Sequence, residues 1–538
     1  MKNKRTLSRK SIALLVILII AGSLRLYRLN ERGLILFDEA HYLLEARWFL
    51  SLLSCLPGLS RWTEWALGVK KFNFMLITPS CVAKPGFGLL LASFSLIVGL
   101  RDYTSLLFSA ITSLFIILLV YLAGRRFFGE MIGLSSSLFL LVMPYFLYYS
   151  RSGLPEIGFM VFFYAGVFLY LESLRRDSAL NWMLPVSGLL LGYSFTCSYK
   201  WFLFLPIFLG VEVWFSLKRD TLSLKLRRLS LFLLSLLLPS LLFEALYSLF
   251  SWTPTYFEQL LEHGKIVPPS EYFATEDIFI CGYYLLKLVG AIGLLFLGVG
   301  LVSLFKGRSC EGVLLSVILL TTLLLFGIMN SLRVPRALSG TLPAMALIMG
   351  QGLTSLINLP FKNRIWRLSI IVLVLLHFLH SGIVDLDILR FKSGYKEAIS
   401  YLASQKGLGY ITTTNISELY PGPRALYCYT NLSPSLEQAL EELRILHKRG
   451  FRFFLVDLMD KYQTSIFRKK YLTLPQLLQR NYLPTKVFPN DVQRHWVFLY
   501  ENGLKTKEVK EFSQDERVGQ ILIYDLNHLF WNGGYGED

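Results

Sequence analysis

Two adjacent carboxylates, Asp38 and Glu39, open the stretch DEAHYLLEAR shortly after the first long apolar segment of the chain. A carboxylate at such a boundary can take a proton from a hydroxyl that arrives from water. Further ionisable residues stand between or beside later apolar runs: Lys84, Arg151, Glu156, Lys200, Arg333 and Arg336. Cations of this kind neutralise a phosphate, and arginine does so through two parallel hydrogen bonds. A phosphate leaving group is already a weak base and needs charge stabilisation more than protonation. One carboxylate and a cationic clamp then suffice, whereas ordinary glycosidases need two carboxyls because an alcohol departs. These residue types in this order suit attack of a hydroxyl on a lipid-phosphate-linked group, provided that they share one side of a membrane.

The elements that must bring them together are apolar helices. The 538-residue chain is 54% hydrophobic and only 17% charged, which is more apolar residue than a soluble core of this size uses. Its mean hydropathy is +0.50. The net charge of +17 does not point to nucleic acid, because Lys and Arg gather in short clusters between apolar runs, which is how membrane topology is encoded. The start, MKNKRTLSRK followed by SIALLVILIIAG, has the layout of a signal peptide. It continues as SLRLYRLN without a clear small-x-small cleavage site, so an uncleaved first span is expected, with Arg25 and Arg28 snorkelling to the outer headgroups.

Spans are expected at 11–28, 104–124, 131–149, 157–174, 181–199, 201–217, 229–250, 279–305, 311–330, 337–358 and 366–384. Residues 29–103 form the first outer loop, with interfacial helices at 40–53 and 86–100. Counting 86–100 as a further span would invert every basic cluster from residue 125 onward. With it left out, Arg125-Arg126, Arg175-Arg176, Lys218-Arg219, Lys306 and Arg364 all fall inside. Asp38, Glu39, Lys84, Arg151, Glu156, Lys200, Arg333 and Arg336 then lie outside near the membrane, where ionisable groups are expensive and tend to be functional.

From about residue 390 the texture changes. Strands are expected at YITTT, ALYCYT, FRFFLVDL, HWVFLY and QILIYDL, and helices at YKEAISYLASQ and SLEQALEELRILHKRG. The fold class is therefore a polytopic α-helical membrane protein of about 11 transmembrane helices plus interfacial helices, with a C-terminal extracytoplasmic α/β domain. Domain 1–389 is followed by domain 390–538.

The order of motifs resembles a known family. FDEAHYLLEA follows the first span, KPGFGLLLASFSLIVGL carries a Lys-Pro before a short apolar helix, and YYSRSGLPEIGF pairs an Arg with an acid. GLLLGYSFTCSYKWFLFLP is a Gly-rich span ending in Lys, and RALSGTLP comes late. Over about residues 10–385 the chain resembles the dolichyl-phosphate-mannose protein mannosyltransferases, glycosyltransferase family 39, which includes the lipid A aminoarabinose transferases and has the C-type membrane glycosyltransferase fold. The resemblance implies Asp38 as catalytic acid residue with Glu39 beside it, Glu156 as the acid of the second outer loop, and Lys84, Lys200 and Arg336 at the donor phosphate. Arg151 and Arg333 are grouped with these cations by position. Where the family often has Lys-Pro-Pro and Arg-Tyr, this chain has Lys84-Pro85-Gly86 and Arg336-Ala337.

The expected activity is transfer of a hexosyl or pentosyl group from a polyprenyl-phosphate sugar donor to a protein, glycolipid or glycan acceptor. It would take place at the outer face of a cell membrane, prokaryotic by expectation, with Asp38 as general base and inversion at the sugar. The competing reading is a transporter or flippase of lipid-linked sugars, which should show repeated halves and polar residues at the bilayer midplane. No cofactor is expected to be required: an acidic pair can bind a divalent ion, but the resemblance implies none. The six cysteines show no metal spacing; Cys55 and Cys81 share one outer loop, and a disulfide and two free thiols both fit. His41 and His263 read as surface residues. Asn415-Ile-Ser417 and Asn431-Leu-Ser433 match the glycosylation sequon.

Overall fold

A computed structural model describes residues 9–35, 37–56, 58–68, 83–175, 182–199, 204–219, 222–251, 253–265, 280–307, 309–328, 338–359, 364–405, 409–412, 427–429, 436–457, 478, 482–491 and 519–531. The chain divides into two compact units. One is Met1–Tyr27, Leu44–Leu100 and Thr104–Leu389; the other is Arg28–Leu43, Arg101–Tyr103 and Arg390–Asp538.

In chain order the helices are α1 (Arg9–Leu26), α2 (Leu29–Arg32), α3 (Phe37–Leu53), α4 (Ser60–Leu67), α5 (Pro85–Val98), α6 (Thr104–Phe127), α7 (Glu130–Leu141), α8 (Pro144–Ser150), α9 (Glu156–Arg175), α10 (Met183–Cys197), α11 (Leu205–Arg219), α12 (Leu222–Phe250) and α13 (Tyr256–Lys265). Long helices follow at Ile280–Gly307, Cys310–Ile328, Leu342–Ile357 and Arg364–Leu389. Every stretch expected as a span overlaps one of these helices. Among the described residues, 7 helices are long and apolar enough to cross a membrane, or 8 if the pair α7 and α8, bent by 69°, is one span. The protein is an integral membrane protein. The bend falls at Pro144, which lacks the N–H that would continue α7. Helix α5 has 14 residues and α10 has 15, both shorter than the about 20 residues that cross a bilayer core of about 30 Å at about 1.5 Å per residue.

Close helix packing in the first unit relies on small residues. Gly188 and Gly192 of α10 face α12, where an added Cβ would overlap Ser235 and the Leu236 carbonyl respectively. A Cβ on Gly124 of α6 would lie 2.7 Å from the Cα of Gly133 on α7. At one end of this unit acids meet the basic clusters that charge placement assigned inside. Lys10 pairs with Glu130 at 2.6 Å, Arg126 with Glu172 at 2.8 Å and Arg175 with Glu311 at 2.6 Å. Glu212, buried between α11 and its neighbours, accepts from both Arg228 and the Tyr170 hydroxyl.

Arg25 departs from expectation. It is buried rather than snorkelling: Nε donates to Ser113 Oγ at 2.9 Å, Nη1 to the Ala21 carbonyl at 3.2 Å, and the guanidinium lies 5.1 Å from the Phe146 ring centroid. Phe146 and Ser113 come from distant segments, so no local pattern announces them. Arg28 is exposed and pairs loosely with Glu31 at 3.6 Å.

The second unit carries a five-stranded sheet, β1 (Gly409–Thr412), β2 (Tyr427–Tyr429), β3 (Phe451–Asp457), β4 (Lys486–Pro489) and β5 (Gln520–Asp525), in the order β2-β1-β3-β5-β4. β1 pairs in parallel with β2 and β3, whereas β5 runs antiparallel to both β3 and β4. The amphipathic helix Leu436–Lys448 joins β2 to β3 in the manner of a parallel crossover and packs its Ala439 and Leu443 onto Phe454 and Val456. The strand at KVFP was not expected from sequence, and HWVFLY lies outside the described residues. Arg452 holds Asp525 at 2.8 Å across β3 and β5. Burial opposes ionisation of Asp525, but hydrogen bonds from Arg452 and the Asn527 N–H outweigh it and leave its carboxyl below the usual range.

Candidate active site

Three of the sequence motifs meet at the end of the first unit opposite the ion pairs of Lys10, Arg126 and Arg175. Helix α5 begins at Pro85, whose missing N–H costs nothing in a first turn, and Lys84 precedes it as N-cap. Gly86 sits against the last turn of α10: a Cβ there would overlap Thr196 Oγ1 and lie 3.1 Å from the Cys197 nitrogen. The Tyr193 hydroxyl donates to the Gly86 carbonyl at 2.8 Å. On the other side, a Cβ on Gly158 of α9 would lie 2.9 Å from the Phe87 ring. The Phe162 and Tyr193 rings are 4.8 Å apart and tie α9 to α10. The start of α5, the start of α9 and the end of α10 are thereby held together. The partial positive charge of two helix N-termini lies in this region, with Lys84 at one and the buried Glu156 at the other.

Lys84 is set by a residue that sequence reading missed. Ala83 adopts φ 52, a left-handed conformation that a side chain rarely takes. Its N–H donates to Gln259 Oε1 at 3.1 Å, and Gln259 Nε2 donates to the Pro254 carbonyl at 2.9 Å. Gln259 lies on α13, in the loop 251–278, and no spacing rule connects it to Lys84. Glu45 of α3 was missed as well: it is buried, accepts from the Tyr247 hydroxyl of α12, and leaves no room for a Cβ on Gly88 of α5.

Arg151 was grouped with the donor-phosphate cations, but its side chain is buried and Nη1 donates to the carbonyls of Leu24, Arg25 and Tyr27 at 2.9, 3.1 and 2.8 Å. It closes the C-terminal end of α1, where a cation complements the helix dipole and the last carbonyls lack helical partners. Lys200, Arg333 and Arg336 lie outside the described residues. The chain just after Arg336 is described: Tyr164 of α9 donates through its hydroxyl to the Gly340 carbonyl at 2.8 Å, which anchors this segment beside α9.

Asp38 and Glu39 belong to the second unit, in the first turn of α3. Asp38 is half-buried and Glu39 is wholly buried. Glu39 Oε1 accepts from Arg32 Nη2 at 3.0 Å and Oε2 from the Ile35 N–H at 2.8 Å, so this carboxylate reaches back over the start of its helix as a capping acid does. Breaking one side of such a buried pair costs about 3–5 kcal/mol, because the remaining charge is left uncompensated. Among the described residues no group of three or more His, Cys, Asp or Glu side chains is placed to hold a metal ion. Cys55 carries an exposed thiol, while Cys81 and both sequons lie outside the described residues.

Residues 79–243 match the family model described as dolichyl-phosphate-mannose-protein mannosyltransferase. That segment contains Lys84, Arg151, Glu156 and Lys200, and hence the junction of α5, α9 and α10. A search of the curated proteins returns no match. Among solved structures, the chain is similar to the archaeal oligosaccharyltransferase AglB from Archaeoglobus fulgidus in complex with an inhibitory peptide and a dolichol-phosphate. That likeness has 12% identity and a TM-score of 0.56, over 87% of this chain and 71% of the other. It is also similar to ArnT from Cupriavidus metallidurans bound to undecaprenyl phosphate, with 12% identity and a TM-score of 0.54, over 84% of this chain and 94% of the other. These likenesses identify the fold as the C-type membrane glycosyltransferase fold.

Proposed function

We propose that the protein is a membrane glycosyltransferase that moves a sugar from a polyprenyl-phosphate carrier to a hydroxyl acceptor at the extracytoplasmic face. The observation that carries this reading is the junction of Lys84-Pro85-Gly86, Glu156 and the end of α10. It assembles motifs distant in the chain at one end of the helical unit, within the segment that matches the mannosyltransferase family model. The dolichol-phosphate of the AglB structure and the undecaprenyl phosphate of the ArnT structure support a donor of the same chemical kind.

In the reaction the acceptor oxygen attacks the anomeric carbon from the face opposite the phosphate, which inverts that centre. The Asp38 carboxylate takes the acceptor proton. The bond from anomeric carbon to phosphate oxygen breaks, and the polyprenyl phosphate leaves with the electron pair, its charge met by Lys84, Lys200, Arg333 and Arg336. Glu156 supports the acceptor or the donor sugar. The acceptor is a protein, glycolipid or glycan, and the sugar a hexose or pentose. A transporter of lipid-linked sugars gains no support from the matched family or the structural neighbours.

The experiment is deletion of the gene followed by mass spectrometry of cell-surface glycoproteins and glycolipids. The expected result is loss of one sugar from one class of product together with accumulation of its polyprenyl-phosphate form. An unchanged glycan and lipid profile would sink the assignment.

A further inference from the structure

Glu39 is tied, through Arg32, to the C-terminal sheet. Arg32 and Glu39 are both buried, at 3% and 0% exposure. Besides its bond to Glu39, Arg32 donates from Nη1 to the Gly33 carbonyl at 3.1 Å. Its own carbonyl accepts the Ser393 N–H at 2.7 Å. Ser393 lies in a segment bound to the end of β4. The Lys392 N–H donates to the Asp491 carboxylate at 2.9 Å, the Asp491 N–H returns to the Lys392 carbonyl at 3.0 Å, and the Gly394 N–H donates to Asn490 Oδ1 at 3.4 Å. A Cβ on Gly394 would overlap the Pro489 carbonyl, so this segment is pressed against the end of β4. A continuous series of contacts therefore runs from the antiparallel edge of the sheet to the residue next to Asp38.

We propose that Arg32 is a positioning residue for Asp38, and that the C-terminal sheet is the mounting from which Arg32 holds that carboxylate in place. The inference rests on the reading of Asp38 as general base. The segment before α3 has little of its own to define it: α2 is a single turn, flanked by Arg28 at φ 46 and Gly33 at φ 63. A base is effective only within hydrogen-bond reach of the proton it removes, and a displacement of about 1 Å can cost about 10²-fold in rate. A buried ion pair is a poor source of net stability but has a sharply defined geometry. Set one residue from Asp38, it fixes the first turn of α3. The same contacts account for the grouping of Arg28–Leu43 with Arg390–Asp538 in one compact unit.

The test uses full-length protein expressed in the deletion strain. Transfer is read in washed membranes, which contain the native donor and acceptor, as the product that deletion removes. Arg32→Gln is expected to lower transfer about 10- to 100-fold per molecule of inserted protein. Arg32→Lys, which keeps the charge facing Glu39, is expected to recover most of it. The double variant Arg32→Gln/Glu39→Gln is expected to be no worse than the weaker single, because both act through one contact. In purified protein, Arg32→Gln is expected to raise amide exchange in both 28–43 and 390–395, whereas Asp38→Asn leaves both unchanged. Full activity of Arg32→Gln, multiplicative losses in the double variant, or unaltered exchange at 390–395 would each overturn the proposal. If Arg32→Gln does not accumulate, Arg32→Lys and the double variant decide by the same criteria. An active Asp38→Asn would instead remove the base assignment, and the exchange experiment alone would then decide whether the sheet holds this loop through Arg32.

Discussion

At the scale of single residues, two charged groups that look alike in sequence part company. Arg336 precedes a segment anchored beside α9 and is proposed to meet the donor phosphate. Arg336→Ala should therefore weaken use of the donor and leave thermal stability unchanged. A charge-assisted bond of roughly 1.5–3 kcal/mol corresponds to about 10- to 150-fold in affinity, read from the dependence of transfer on donor concentration. Arg151 instead closes the end of α1 with three carbonyl contacts. Arg151→Gln should lower the unfolding temperature of the detergent-solubilised protein before any specific effect on donor use is seen. A variant of normal stability with weak donor use would return Arg151 to the phosphate. For Asp38, the Asn variant keeps the shape and removes the basicity, and a positioned base is worth about 10²–10⁴-fold. Asp38→Asn should insert and bind donor yet lose nearly all transfer; near-normal transfer would move the role of base to Glu156. Glu39→Gln should be the milder of the two, since Gln keeps one oxygen that accepts from Arg32 and loses only the bond from the Ile35 N–H.

At the scale of elements, the site depends on how closely α5 approaches α10. Replacing a helical glycine with alanine ordinarily favours the helix by about 1 kcal/mol. At Gly86 the sign should reverse. The new Cβ would overlap Thr196 Oγ1 and lie 3.0 Å from the Thr196 carbonyl carbon, and overpacking of this kind costs about 1–3 kcal/mol. Gly86→Ala should therefore lower the unfolding temperature and reduce transfer by shifting Lys84. Gly382, on the helix Arg364–Leu389, has nothing within 4 Å of its added Cβ, so Gly382→Ala should be neutral or stabilising. Equal behaviour of the two variants in thermal unfolding would show that the approach of α5 to α10 is not tight.

At the scale of the whole molecule, the arrangement of charge makes a prediction about sidedness. The ends of α1, α6, α7 and α9 that charge placement assigns inside carry the pairs Lys10–Glu130, Arg126–Glu172 and Arg175–Glu311, the last reaching the helix Cys310–Ile328. Cysteines placed at the exposed positions Arg61 and Lys396 should react with a membrane-impermeant thiol reagent added from outside. Cysteines at the exposed positions Arg125 and Lys306 should react only after permeabilisation. Residue 45, although assigned to the outer loop, is unsuitable because Glu45 is buried. Outside labelling at Arg125 would overturn the topology and make α5 a span.

The apolar stretches and most strands of the C-terminal sheet were legible in the sequence. Hydropathy and the two-residue or 3.6-residue period are local properties that add up along a segment whatever its neighbours are. The short strand Lys486–Pro489 was not legible, since four residues at a sheet edge carry too little periodicity. The partner of each buried polar group was not legible either. Arg151 takes carbonyls of α1, Gln259 takes the Ala83 N–H from a position 176 residues away, and Glu39 takes Arg32. Residue type says that a buried charge or amide must find a partner; which partner it finds depends on how distant helices pack, and only the tertiary structure decides that.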